Sequence, residues 1–150
     1  MSTSQAQANI DLIRQALSAF NAADLDQCVT LLTEDFAINL AGMPVQMRGR
    51  EAWKSNADVM QIAFPRIQAQ IDDIFGAEDR VAVRLTFRGT HRGEFLGIAP
   101  TGRDVVFTSL ELYRVVDGQL AEEWISSDLT TLMRQLTEPD ARAHGSTVKA

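Results

Sequence analysis

The chain has 150 residues, of which 45% are hydrophobic and 23% are charged, a balance typical of one globular domain with a buried core. The net charge of −6, with arginines scattered rather than clustered, argues against a nucleic-acid partner or an anionic membrane surface. A single cysteine, Cys28, excludes an internal disulfide, and no apolar run reaches the length of about 18 residues that spans a membrane. Because the first residues also lack the basic and apolar blocks of a signal peptide, we expect a cytoplasmic protein.

The first half of the chain alternates between helical and extended periodicities. Apolar residues at the helical spacing predict helices over 4–21, 24–33 and 50–62, and Asp24 is placed to cap the second. Alternating residues predict strands over 36–40 and 67–75. The Phe64-Pro65 pair ends the third helix, because a residue before proline avoids the α region.

The second half predicts a sheet. Strands are expected over 81–88, 105–116 and 120–126, where β-branched and aromatic residues are frequent. Asp117-Gly118 predicts a tight hairpin between the last two strands, because both residues accept a positive φ. A glycine-rich loop over 89–102 joins the first two strands, and a last helix is expected over 129–136. Residues 1–137 are therefore predicted to form one domain and 138–150 a flexible tail.

Helices followed by antiparallel strands predict an α+β fold, in which the N-terminal helices pack on one face of a curved, mostly antiparallel sheet. Such curvature leaves a cavity between the two layers, where a small hydrophobic molecule can bind. The sequence contains no nucleotide-binding loop, paired Cys-x-x-Cys or His-Glu-x-x-His pattern, so nucleotide and zinc sites have no support from motifs.

Three ionisable side chains are candidates for proton transfer: Glu111, His91 and Asp128. Strand alternation places Glu111 on the same face as Phe107 and Tyr113. If that face lines the cavity, Glu111 is a desolvated carboxyl with a raised pKa, suited to general acid or base catalysis. If that face points outward, Glu111 is a solvated strand residue. Both faces carry apolar residues, so periodicity leaves the two alternatives open.

The other two candidates also have a structural alternative. His91 ends a strand at the mouth of the glycine-rich loop, where an imidazole can exchange a proton near neutral pH, or it only caps that loop. Asp128 is either an acid at the cavity rim or only the cap of the last helix. Of the neighbours Glu122 and Glu123, one must point away from the cavity, because adjacent strand residues face opposite sides.

Large apolar and aromatic side chains are the candidate substrate contacts, although such residues more often belong to a core. No metal ligand is predicted among them. The candidates are Phe20, Trp53, Met60, Phe64, Phe95, Phe107, Tyr113, Trp124 and Ile125.

Four segments follow one another in the second half of the chain: GTHRGEFLGIAPTGR at 89–103, YRVVDG at 113–118, EEWISSD at 122–128 and LMRQL at 132–136. Together they resemble the SnoaL-like polyketide (ester) cyclase family of the nuclear transport factor 2-like superfamily. The resemblance implies a cone-shaped α+β barrel and a homodimer or higher homo-oligomer packed through its sheet. It also implies a deep apolar pocket that works without a metal or organic cofactor.

In the characterised cyclases, a histidine on the penultimate strand and an aspartate directly after the tryptophan of the last strand transfer protons during an intramolecular aldol condensation. These positions align with Glu111 and Ile125, so this sequence has neither residue. The resemblance implies an enzyme that performs acid–base chemistry on a polyketide-like carbonyl compound, by cyclisation or by related isomerisation, dehydration or hydrolysis. Because Ile125 cannot carry a proton, a non-catalytic module that binds a small hydrophobic ligand or dimerises is the alternative.

Overall fold

A six-stranded mixed sheet forms one layer of the protein, with helices packed against it. The computed structural model describes residues 2–139, so the predicted tail lies outside the described residues from residue 140 onward. The helices are α1 (Ser2–Asn21), α2 (Leu25–Thr30), α3 (Arg50–Ala63) and α4 (Leu129–Thr137). The strands are β1 (Leu32–Leu40), β2 (Met47–Arg48), β3 (Gln68–Ala77), β4 (Arg80–Thr90), β5 (Asp104–Val116) and β6 (Gln119–Ser127).

The strands are ordered β2-β1-β6-β5-β4-β3, so β2 and β3 are the edges of an open sheet. Neighbouring strands are antiparallel except β1 and β6, which run parallel. The predicted hairpin between β5 and β6 is confirmed, because Asp117 and Gly118 have φ values of 48° and 75°. The α+β fold with helices on a curved sheet is likewise confirmed, and its open sheet gives it the shape of a cone.

Two features of the first half differ from the sequence predictions. Strand β1 begins at Leu32 instead of residue 36, and its pairing with β6 shifts register between Leu32 and Ala37. This irregularity interrupts the alternation of apolar residues by which a strand is recognised, and it shortens α2 to end at Thr30. The two-residue strand β2 was not predicted, because so short a segment carries no periodicity.

Side-chain hydrogen bonds fix α1 along the sheet edge. Asn21, at the end of α1, donates to the carbonyl of Ala69 at 2.9 Å and accepts from its N–H at 2.7 Å. Nearer the start of the helix, the buried Asn9 donates to the carbonyl of Glu78. The helix therefore lies across β3 with Ile13 buried beneath it.

Two hydrophobic clusters fill the space between the layers. The larger cluster lies under α1 and contains Ile13, Leu32, Phe36, Ile38, Val81, Val83, Leu85, Tyr113, Val115 and Leu120. The second closes the end of the sheet beneath α4 and contains Ala63, Phe64, Ile67, Phe95, Val105, Phe107, Leu132 and Leu136. Within residues 2–139, no helix is both long and apolar enough to cross a membrane.

Candidate active site

A cavity of about 530 Å³ lies between the helices and the sheet. This volume suits a small organic ligand. Among the described residues that line it, Glu111 and Glu123 are the only carboxyl groups, and no lysine, arginine or histidine contributes. The rest of the lining is mainly apolar and includes Ile13, Leu17, Phe20, Phe36, Ile38, Trp53, Met60, Phe87, Phe107 and Ile125.

Strand β5 directs Glu111 into this cavity. Its burial alternates without interruption from Val105 to Val115, and Glu111 falls on the buried face with only 9% of its surface exposed. The adjacent Leu110 is 60% exposed on the opposite face. Of the two orientations that periodicity left open, the structure therefore has the one in which Glu111 faces the cavity.

Two hydroxyl groups hold the Glu111 carboxyl in place. The Tyr113 hydroxyl donates to Oε1 at 2.6 Å, and the Ser109 hydroxyl donates to Oε2 at 2.9 Å. Both donors lie on β5, two residues to either side of Glu111, so strand alternation brings all three side chains to one face. Ser109 Oγ also lies 2.9 Å from Ser127 Oγ on β6, which extends the network to the neighbouring strand.

Glu123 is the second carboxyl of the cavity, and the sequence did not single it out. It pairs across the strands with Tyr113 and is only 3% exposed. Its neighbour Glu122 points away and interacts with the side chains of Asn39 and Arg114.

A register shift explains why Glu123 could not be chosen over Glu122 from the sequence. Val115 pairs with Leu120 but Arg114 pairs with Glu122, so the intervening Ala121 is an extra residue in β6. Counting alternate residues from the buried Leu120 would place Glu122 inside. The bulge reverses that alternation and turns Glu123 inward. The only sequence signal was the adjacency of two acids on a strand.

Burial perturbs the ionisation of this cluster. Desolvation raises the pKa of Glu111, opposed by the hydrogen bonds from Tyr113 and Ser109. Desolvation also raises the pKa of Glu123 to about 8, with a further contribution from the negative charge of Glu111 and an opposing hydrogen bond with Tyr113. Burial and the two carboxylates raise the pKa of Tyr113 well above its usual value. The cavity thus holds two carboxyls that resist ionisation.

His91 is not part of this cluster. It is fully buried beside Phe64, with 5.5 Å between the ring centroids, and it does not line the cavity. Its Nδ1 accepts the backbone N–H of Thr101 at 3.1 Å and lies 2.9 Å from the Thr101 hydroxyl. The imidazole therefore braces the glycine-rich loop, in agreement with the structural alternative.

Asp128 is also absent from the cavity lining. Its carboxylate accepts the Thr131 backbone N–H at 3.0 Å and the Thr131 hydroxyl at 2.7 Å, which makes it the N-cap of α4. These hydrogen bonds lower the pKa of Asp128, which is exposed to solvent. An ionised surface cap is the wrong group to deliver a proton to a buried substrate.

The structure brings together seven of the nine predicted substrate contacts. Phe64 lies wholly within the second hydrophobic cluster, because it is at the end of α3 and points beneath the glycine-rich loop. Trp124 faces the other side of the sheet, where the Arg80 guanidinium stacks over its ring at 5.2 Å. The contacts that line the cavity are Phe20, Trp53, Met60, Phe95, Phe107, Tyr113 and Ile125.

Cys28 lines the cavity from α2, and burial raises the pKa of its thiol to about 11. It is therefore a protonated, weakly reactive group at neutral pH. Among residues 2–139, no group of three or more histidine, cysteine, aspartate or glutamate side chains is arranged to hold a metal ion.

Comparison with known proteins identifies relatives along most of the chain. The family model of the SnoaL-like polyketide cyclases matches residues 10–136. The aklanonic acid methyl ester cyclase DauD of Streptomyces sp. (strain C5) is 28% identical over 135 residues, which cover 87% of this chain and 82% of that protein. The crystal structure of IdmH from Streptomyces antibioticus is 37% identical with a TM-score of 0.75 and covers 85% of this chain and 97% of that one. A structure from Jannaschia sp. CCS1, with 22% identity and a TM-score of 0.82 over 90% of this chain and 95% of that one, shows the shared fold alone.

Proposed function

This chain belongs to the SnoaL-like polyketide cyclase family, and on that premise we propose that it closes a ring in an apolar, polyketide-like carbonyl compound by an intramolecular aldol reaction, with Glu111 as the base. The observation that carries this proposal is the burial of the Glu111 carboxyl in an apolar cavity, where two hydroxyl donors fix its orientation. Such a carboxyl combines a raised pKa with a defined position, the two properties that a general base requires.

The reaction begins when Glu111 takes a proton from the carbon next to one carbonyl group. The C–H bond breaks and an enolate forms. The enolate carbon then attacks a second carbonyl carbon of the same molecule, so a C–C bond forms and the π electrons of that C=O bond move to its oxygen. This oxygen takes up one proton. The product is a cyclic hydroxy ketone with the same atoms as the substrate, so no external oxidant or reductant enters the balance.

The environment of Glu111 decides whether this step is feasible. An exposed carboxylate with a pKa of about 4 is too weak a base to remove a proton from carbon efficiently. Burial raises the pKa of Glu111, and a positioned base is typically worth about 10²–10⁴-fold in rate. A substrate with its own carboxylate would bring a third acid into a cavity whose described lining residues include no cation. We therefore infer that the substrate is neutral at this position, as in the methyl ester named for the relative DauD.

The test is deuterium exchange at C2 of 1-tetralone, an apolar bicyclic ketone whose ring is already closed, so that exchange reports on proton removal alone. In D₂O buffer, the wild-type protein is expected to accelerate the exchange, followed by NMR. Glu111→Gln is expected to lower the catalysed rate by about 10²–10⁴-fold without unfolding the protein. The matched control is Glu122→Gln, which removes an acid from the opposite face of the sheet and is expected to keep the wild-type rate. A wild-type rate equal to that of buffer, or full activity in Glu111→Gln, would overturn the proposal.

A second candidate function is a non-catalytic module that binds a small hydrophobic molecule. Its support is Ile125, the cross-strand partner of Glu111, which lines the cavity and cannot transfer a proton. The same probe separates the two functions. Because Trp53 lines the cavity, binding of 1-tetralone can be followed by tryptophan fluorescence. Binding without deuterium exchange would favour the module over the enzyme.

A further inference from the structure

Two carboxyl groups line the same cavity on either side of one tyrosine. Tyr113 donates its hydroxyl to Glu111 at 2.6 Å, and Glu123 is the cross-strand partner of Tyr113 on β6. Glu111 and Glu123 are 9% and 3% exposed, and both side chains line the cavity. The two acids therefore lie on adjacent strands at one wall of the cavity, with the side chain of Tyr113 next to both.

Among the described residues that line the cavity, none carries a positive charge that could neutralise this pair. From α1, α3, β1, β4 and α4, the described residues that face the cavity carry no titratable side chain, and α2 contributes only the protonated thiol of Cys28. Two carboxylates close together in an apolar space repel each other strongly, so the pair retains one proton at neutral pH. A single proton shared by two acids gives the cavity one base and one acid at the same time.

The hydrogen bonds indicate which carboxyl keeps the proton. Glu111 accepts from both Tyr113 and Ser109, and two donors favour its ionised form. Within residues 2–139, the Glu123 carboxyl has no second donor of this kind beside the nearby Tyr113 hydroxyl, and the charge of Glu111 further disfavours its ionisation. The favoured arrangement is thus an ionised Glu111 and a protonated Glu123.

We propose that Glu123 is the catalytic acid that complements Glu111, and that Tyr113 carries the proton between them after each turnover. This inference rests on the proposed function and extends it to a residue on a different strand. As Glu111 removes the proton from carbon, the protonated Glu123 donates a hydrogen bond to the oxygen of the enolising carbonyl, and its proton then passes to the oxygen of the second carbonyl as that oxygen becomes the hydroxyl group.

The proton balance closes within the cluster. After ring closure, Glu111 holds the proton taken from carbon and Glu123 is ionised. Glu111 then donates to the Tyr113 oxygen while the Tyr113 hydroxyl donates to Glu123, which moves one proton across and restores the starting state. The Glu111 O–H bond breaks, the Glu123 O–H bond forms, and Tyr113 exchanges one O–H bond for another, so no proton from solvent is needed to reset the site.

The first part of the test needs no substrate. Glutamate labelled with ¹³C at its carboxyl carbon is incorporated at all eight positions, and the signals are titrated by NMR. One signal is expected to titrate near pH 8, to vanish in Glu123→Gln, and to move to lower pH in Glu111→Gln as the neighbouring negative charge is removed. Glu122→Gln is expected to leave it in place. If Glu123 titrates in the ordinary range of about 4 to 5, the two carboxyl groups do not share a proton at neutral pH and the proposal is wrong.

The second part measures the catalytic role. Exchange of 1-tetralone by the wild type is expected to slow above pH 8, where Glu123 loses its proton. Glu123→Gln is expected to exchange at least about tenfold more slowly and to lose this alkaline decline, because glutamine does not titrate. If Glu123→Gln exchanges 1-tetralone at the wild-type rate, Glu123 is not the catalytic acid, and Glu111 remains the base. Failure of the proposed function is distinct, because it shows as the absence of exchange in the wild-type protein.

Discussion

At the scale of single residues, the chemistry depends on carboxyl groups that folding removes from water. Glu123 illustrates the energetic consequence. Its pKa rises from 4.5 in the reference state to about 8 in the folded protein. Between these values the folded state holds a proton that the unfolded state has released, so the unfolded state gains relative stability as the pH rises. A buried acid of this kind destabilises the fold at neutral pH, and its retention there is better explained by function than by stability.

This linkage predicts the pH dependence of stability. The stability that comes from keeping Glu123 protonated is fully present below about pH 4.5 and is lost as the pH rises to about 8. Over that range, the free energy of unfolding of Glu123→Gln should therefore increase progressively relative to that of the wild type. The difference in the free energy of unfolding is expected to reach a few kcal/mol. It is measured by urea denaturation at pH 5, 6, 7 and 8. The free energy of unfolding of Glu122→Gln should change with pH in parallel with that of the wild type. If the curve of Glu123→Gln is also parallel, Glu123 is not a buried acid with a raised pKa.

At the scale of secondary structure, the long helices and strands can be predicted from the periodicity of their apolar residues. The position of the site residues depends in addition on an irregularity, the bulge in β6. The alternation of β5 is enough to predict that Glu111 shares a face with Phe107 and Tyr113, and Asp117-Gly118 is enough to predict the hairpin. Sequence alone left open which face of β5 is covered, because that depends on where α1 and α3 pack. It also left open the bulge at Ala121, since an extra strand residue has no composition of its own.

The junction between α3 and the glycine-rich loop gives a prediction at the same scale. A Cβ atom on Gly93 would lie 2.1 Å from the carbonyl oxygen of Ile62, so the two backbones would have to separate. This loop carries Phe95, which lines the cavity, and it is joined to α3 by hydrogen bonds to the Ala63 carbonyl. Gly93→Ala should therefore lower the free energy of unfolding by about 3 kcal/mol.

The control for this variant is Gly102→Ala, at a position with open space around the added Cβ and a φ of +72°. Only the backbone preference is lost there, at a cost of about 1 kcal/mol. Both variants are compared by urea denaturation at one pH. Equal destabilisation of the two would show that the contact with Ile62 does not constrain the loop.

At the scale of the whole molecule, the sheet has an apolar face that the helices leave uncovered. Phe75, Ala82, Leu112 and Trp124 pair across four adjacent strands and line one groove, next to the exposed Leu110. Phe75 and Leu110 are 63% and 60% exposed. An apolar row of this extent is typical of an interaction surface. We propose that it joins two copies of the chain as a homodimer, with the two cavities on the outer sides.

Light scattering after size exclusion measures this association directly. The wild type is expected to have the mass of a dimer, and Leu110→Lys that of a monomer, because the substitution would bury a charge within the proposed contact. Val45→Lys is the matched control, since Val45 is 70% exposed in the segment between β1 and β2 and does not line the groove. A dimeric Leu110→Lys variant, or a monomeric wild type, would rule out this interface.

The central claim is that one carboxyl on one wall of the cavity removes the proton from the substrate carbon. The stereochemistry of deuterium exchange at C2 of 1-tetralone tests it most directly, because C2 carries two protons that a base on a single wall reaches unequally. We expect the wild-type protein to exchange one of the two preferentially, and Glu111→Gln to lose that preference while Glu122→Gln retains it. Equal exchange of both protons by the wild type, or a preference that survives in Glu111→Gln, would contradict the assignment of Glu111 as the base.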